Sequence, residues 1–88
     1  MRQNPEFIIT EVADNYVLVP VGSAAVNFRS IINLNEMGQT IWNMLENETT
    51  IDEILKNILA EYDVSEEQAR NDIESFLSKL LDNGCIVD

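Results

Sequence analysis

Residues 31–45 read Ile31-Ile32-Asn33-Leu34-Asn35-Glu36-Met37-Gly38-Gln39-Thr40-Ile41-Trp42-Asn43-Met44-Leu45, and the fold is decided where this stretch changes its period. Up to Leu34 the composition is that of a strand. From Asn35 onward Met37, Ile41, Met44 and Leu45 recur at helical spacing. Asn35 is a good N-cap, and Glu36 beside it favours the positive end of the helix dipole. A sheet ends here and a set of helices begins.

Upstream, Phe7–Val12 and Tyr16–Val21 are rich in aromatic and β-branched residues. Asp14 and Asn15 lie between them and tolerate positive φ, so a tight two-residue hairpin is expected. A third β segment follows Gly22, as Ala25–Phe28 and Ile31–Leu34, in one bent strand or two short ones. Tyr16–Val21 is apolar on both alternating faces, which predicts cover on both sides. Pro20 lacks an N–H and belongs near the strand end or where the ladder needs no donor.

Downstream, Thr50-Ile51-Asp52-Glu53 is a capping box, and Ile51, Ile54, Leu55, Ile58, Leu59 and Tyr62 repeat at helical spacing to a break near Asp63. Ser65-Glu66-Glu67-Gln68 is a second box, with Val64 placed to staple onto Ala69. The row Ile73, Phe76, Leu77, Leu80, Leu81 carries a third helix over roughly 66–83, about 27 Å long. Gly84 is its C-cap, leaving Cys85-Ile86-Val87 extended. The order is α+β and winged-helix-like: a three-stranded antiparallel sheet followed by three helices, in a single domain over residues 1–88.

Composition removes most chemistry. The chain has 88 residues, 16 acidic and 5 basic side chains, no histidine and one cysteine, for a formal charge of −11. A domain this short has little area left over for an enclosed active site. Without His there is no Ser-His or Cys-His pair and no imidazole ligand, and one Cys cannot build a thiolate zinc site. The reading is a non-enzyme with no cofactor. The net charge opposes nucleic acid and anionic membranes as partners. An unpaired Cys, an opening stretch without an apolar signal run and the lack of any membrane-length apolar segment point to the reducing cytoplasm.

Glu61, Asp63, Glu66, Glu67, Asp72 and Glu74 crowd the start of the third helix without the alternation or glycine of a calcium loop, and read as a solvated face favoured by the dipole. Arg70 and Glu74 are spaced for an i, i+4 pair. Trp42 reads as core, and Cys85, without electropositive neighbours, as inert. No Asp-Ser-Leu attachment site of an acyl carrier protein is present, and Ser65 stands in Val-Ser-Glu. What remains is a sheet edge, which an extended peptide or a second copy of the domain can extend unless the segment around Asn27 to Ser30 protects it. Peptide binding and a homodimeric scaffold weigh about equally on physics alone. A winged-helix DNA-binding regulator is the weaker alternative, because the third helix carries Glu66, Glu67, Asp72, Glu74 and Asp82 against only Arg70 and Lys79.

At Leu34-Asn35-Glu36-Met37-Gly38 followed by Ile41-Trp42, the chain resembles the PqqD family, the small peptide chaperones of pyrroloquinoline quinone biosynthesis and the related recognition domains of other peptide-modifying systems. Tyr16–Pro20, Thr50-x-x-Glu53-Ile54, Tyr62-Asp63-Val64 and Asp72-x-x-x-Phe76-Leu77-x-x-Leu80 leading to Gly84 extend the likeness over most of the chain. Residues 23–30 are an excursion beyond the short pattern and suggest a relative within the broader family. The resemblance implies a non-catalytic domain that binds the leader segment of a ribosomally made precursor peptide and presents it to a modifying enzyme, often a radical-SAM protein. It implies that the leader adds antiparallel to the third strand, with Ser30, Ile31, Ile32 and Asn33 supplying backbone pairing. Arg70, Ile73, Glu74 and Leu77 of the third helix are the implied groove wall. With −11 on the domain, a partner carrying Lys or Arg is steered favourably, and salt should slow that association.

Overall fold

Three polar side chains start the three helices where the sequence places them. Asn35 Oδ1 accepts from Gly38 N at 2.7 Å, Thr50 Oγ1 from Glu53 N at 3.3 Å, and Ser65 Oγ from Gln68 N at 3.1 Å. The reciprocal halves of the two capping boxes turn elsewhere: Glu53 Oε2 accepts from Thr49 Oγ1 at 2.9 Å, and Gln68 Nε2 donates to Asp72 Oδ1 at 2.9 Å. The computed structural model describes residues 1–22 and 31–87. Its elements are β1 (Arg2–Gln3), β2 (Phe7–Val12), β3 (Asn15–Pro20), β4 (Ile32–Leu34), α1 (Glu36–Met44), α2 (Ile51–Glu61), α3 (Glu66–Asp82) and β5 (Ile86–Val87). The expected strand segment Ala25–Phe28, and Ser30 with it, lies outside the described residues.

β2, β3 and β4 form the expected antiparallel sheet in that order, so among the described residues β2 and β4 are its edges. The hairpin is one residue earlier than expected. Its turn is Ala13-Asp14, with φ of 50° and 69°, and Asn15 already belongs to β3. Both positive φ values mark the mirror-image turn whose twist suits a hairpin. This register sets Ile9 opposite Leu18, whereas a turn at Asp14-Asn15 would have set Glu11 there. Packing on the inner face thus overrides the poor fit of alanine to the left-handed region.

The inner face presents Phe7, Leu18, Ile32 and Leu34 to one core with Ile41, Trp42 and Leu45 of α1, Ile54, Leu55 and Ile58 of α2, and Ala69, Ile73, Leu77 and Leu80 of α3. Trp42, 2% exposed, is core as its sequence context implied. The outer face is less covered than the apolar β3 suggested. Val17 is buried outside that core, but Ile8 is 46% and Ile31 61% exposed.

Two features follow α3. Gly84, at φ 73°, donates to Leu81 O at 3.0 Å, and Cys85 N donates to Leu80 O at 2.8 Å, the paired bonds of a Schellman cap. The chain then runs into β5, which pairs antiparallel with β1, Arg2 opposite Val87. β5 lies in the stretch expected to be extended, whereas its partner β1 was not expected. Among the described residues no helix is long and apolar enough to cross a membrane.

Candidate functional site: a free strand edge beside a groove

The hairpin turn determines which backbone groups of β4 are free. In a two-residue turn the flanking residues, Val12 and Asn15, exchange hydrogen bonds, and bonded pairs then recur at every second residue. Val21 N donating to Glu6 O at 2.7 Å continues that alternation past the end of the hairpin. Asn15, Val17 and Val19 therefore face β2, and Tyr16 and Leu18 turn their N–H and C=O groups to β4. Their partners there are Leu34 and Ile32. Asn33, opposite Val17, is left with both backbone groups pointing outward, and Ile31 continues the alternation one step before the strand. Of the four positions expected to offer backbone pairing, Asn33 and Ile31 have the right direction. Ile32 is committed to β3 and its side chain is 1% exposed. Ser30 lies outside the described residues.

β4 runs straight into the N-cap of α1, and beside that junction lies a groove of about 430 Å³. One wall is Asn35, Met37, Gly38 and Ile41; the other is Asp72, Ser75, Phe76 and Lys79 of α3. Gly38 allows the two walls to meet, since a Cβ there would stand 3.2 Å from Asn35 Oδ1 and 3.4 Å from two carbons of the Phe76 ring. The floor is apolar, with Met37 and Phe76 half-buried and Ile41 buried.

The α3 residues that line this groove differ from Arg70, Ile73, Glu74 and Leu77, the wall the resemblance implied. Helical residues advance about 100° each, so Ala69, Ile73, Leu77 and Leu80 form the stripe facing the core, and the helix has two flanks beside it. Asp72, Ser75, Phe76 and Lys79 occupy the flank toward α1. Arg70, Glu74 and Leu77 lie toward the other. Ile73, with no exposure, belongs to the core. Glu74 and Leu77 line a second pocket of about 340 Å³ together with Met1, Ile51, Leu81 and Ile86. Arg70, its side chain 42% exposed, pairs with Asp52 of α2 at 3.6 Å and with Glu74 at 4.0 Å. Core periodicity identified α3 but could not say which flank meets α1. The available hint was Phe76, a large ring set to one side of the Ala69, Ile73, Leu80 stripe.

Electrostatics at the groove are simple. Among the described residues Lys79 has no ion-pair partner, whereas the Asp72 carboxylate holds the Gln68 amide. Cys85 lies away from the groove, is fully buried, and has its thiol pKa pushed up by desolvation to about 11. The acids Glu61, Asp63, Glu66, Glu67, Asp72 and Glu74 are all exposed.

Comparison with known proteins agrees with this architecture. Residues 8–86 match the family described as Coenzyme PQQ synthesis protein D (PqqD). No curated protein matches the chain. Two solved structures share the fold. One is TbiB1 in complex with the TbiA(beta) leader peptide, with TM-score 0.75, 24% identity and full coverage of both chains. The other is lasso peptide synthetase B1 complexed with the leader peptide, with TM-score 0.75, 22% identity, and coverage of 99% of this chain and 96% of the other. Since the family match spans nearly the whole chain and both folds superpose end to end, the protein belongs to the PqqD family.

Proposed function

We propose that this domain is a non-catalytic chaperone that binds the leader segment of a ribosomally made precursor peptide by strand addition to β4 and presents it to a peptide-modifying enzyme. The observation that carries the reading is the outward backbone of Asn33 next to the apolar groove of Met37, Ile41 and Phe76. Family membership and the likeness to two proteins solved with leader peptides support it.

Addition in the antiparallel sense sets the direction of the peptide. An antiparallel addition continues the all-antiparallel sheet, and the peptide residue opposite Asn33 exchanges both hydrogen bonds with it. Side chains of its two neighbours, opposite Leu34 and Ile32, then fall on the inner face, where the groove lies. The N-terminal part of the bound segment lies at the Leu34 end, over the groove. Its C-terminal part leaves past Ile31, so the segment to be modified emerges on the side away from α1. A radical-SAM protein is the class of enzyme partner that the family suggests.

The test uses a displayed library of random twelve-residue peptides selected on the purified chain. Enriched peptides should bind Asn33→Pro at least tenfold more weakly, because the change removes the outward donor but no bond to β3. Glu11→Pro, at an outward position of the other edge, should bind as the wild type does. A reversed pattern would move the site to β2, and the absence of any enriched peptide would remove the function.

A further inference from the structure

We propose that the groove selects a peptide bearing a side-chain carboxylate within two residues of its apolar anchor, and that Lys79 is the residue that reads it. The inference rests on the peptide-binding reading above and specifies the class of peptide. Within a chain of charge −11, cations are scarce, and they are not equivalent. Arg70 is held between Asp52 and Glu74 on the far flank of α3. Lys79 stands on the groove flank beside Phe76, and among the described residues no carboxylate pairs with it. Asp72, two turns earlier on the same wall, is already hydrogen bonded to Gln68.

A peptide side chain packed on Met37, Ile41 and Phe76 displaces water from one side of Lys79. That lowers the local dielectric and strengthens its attraction for a nearby anion. The long-range field of the domain acts in the opposite sense and disfavours a peptide that is acidic throughout. The two together describe a segment that is neutral or basic overall, with a single Asp or Glu next to its large apolar residue. A basic residue at that position would face Lys79 across a few ångströms and be rejected.

The test is the same displayed library, selected in parallel on the wild-type chain and on Lys79→Glu, with free-acid and C-terminally amidated versions of the best peptides measured by titration calorimetry. The wild type should enrich an Asp or Glu beside the apolar anchor. Glu→Gln in that peptide should weaken binding about three- to tenfold at low salt, with the difference shrinking as salt is added. Lys79→Glu, which also loses the basic side chain in the last turn of α3, should melt within a few degrees of the wild type, keep the apolar anchor and enrich Lys or Arg at the same position. Amidation should change nothing, because the carboxylate is a side chain; a loss on amidation would overturn the proposal in favour of a terminal carboxylate. Enrichment of the apolar anchor with no charge preference, or with one that Lys79→Glu leaves unaltered, would overturn the proposal while leaving peptide binding intact. No enrichment on a folded chain would overturn both.

Discussion

Replacing Gly84 by alanine isolates a backbone cost from all packing effects. Gly84 sits at φ 73°, and a Cβ built on it meets no atom within 4 Å, so nothing has to move to admit the methyl group. What changes is the conformational energy of the left-handed residue that closes α3. That costs an L-residue about 1–2 kcal/mol relative to glycine. Alanine also restricts the unfolded chain, which returns about 0.4–1 kcal/mol. The net loss is about 1 kcal/mol, or about 4–8 °C in the melting transition of a domain this size. Urea unfolding followed by circular dichroism measures it, with Gly84→Asn as the companion, since asparagine tolerates this region better and should lose less. Peptide affinity should not change, because the groove lies on another part of α3. A loss above about 3 kcal/mol would mean that Gly84 is packed, and no loss would mean that the helix does not end in the Schellman bonds to Leu80 and Leu81.

Other expectations are as direct. Ile32→Pro, unlike Asn33→Pro, removes a donor to β3 beneath a fully buried side chain, and should cost about 3 kcal/mol or more in urea unfolding. Arg70→Glu breaks two half-exposed ion pairs and adds a like charge; the expected loss is at most about 1 kcal/mol, reduced by salt, with peptide affinity unchanged because Arg70 faces α2. A tenfold affinity loss there would restore Arg70 to the groove wall. Cys85 has a folded pKa of about 11 against an ordinary 9.0, so the unfolded thiol ionises first. The contribution of Cys85 to stability is thus constant below pH 9 and is lost between pH 9 and 11. Cys85→Ala should flatten that part of a pH-stability curve, and a thiol reagent at pH 8 should label wild-type Cys85 only as fast as the protein unfolds.

Local signals were legible and long-range ones were not. Asn35, Thr50, Ser65 and Gly84 announced helix ends because a cap is decided by a few neighbouring residues. The hairpin slipped by one position because Ala13 is no turn residue, and only the opposition of Ile9 to Leu18 makes its conformation worthwhile. The extended stretch at Ile86–Val87 followed from the Gly84 cap, but its pairing with β1 was invisible because two residues carry no period. At the site, Ile31, Ile32 and Asn33 were legible as a strand, but the direction of each backbone group depended on the register of a hairpin one strand away. The residues expected at the groove wall and those beside the α1 junction lie on different flanks of α3, which the sequence could not separate for a related reason. Ile73, Glu74 and Leu77 share a helix with Phe76 and Lys79, and only the placement of α1 distinguishes the two sides.

The β1–β5 ribbon also bears on how such a domain can be joined to other proteins. Arg2 and Val87 are partners across the ribbon, about 5 Å apart at their Cα atoms. A chain that enters at one and leaves at the other occupies no more room than a surface hairpin. Backbone arriving at Arg2 and backbone leaving Val87 therefore run side by side, and the groove at the α1 junction lies away from both.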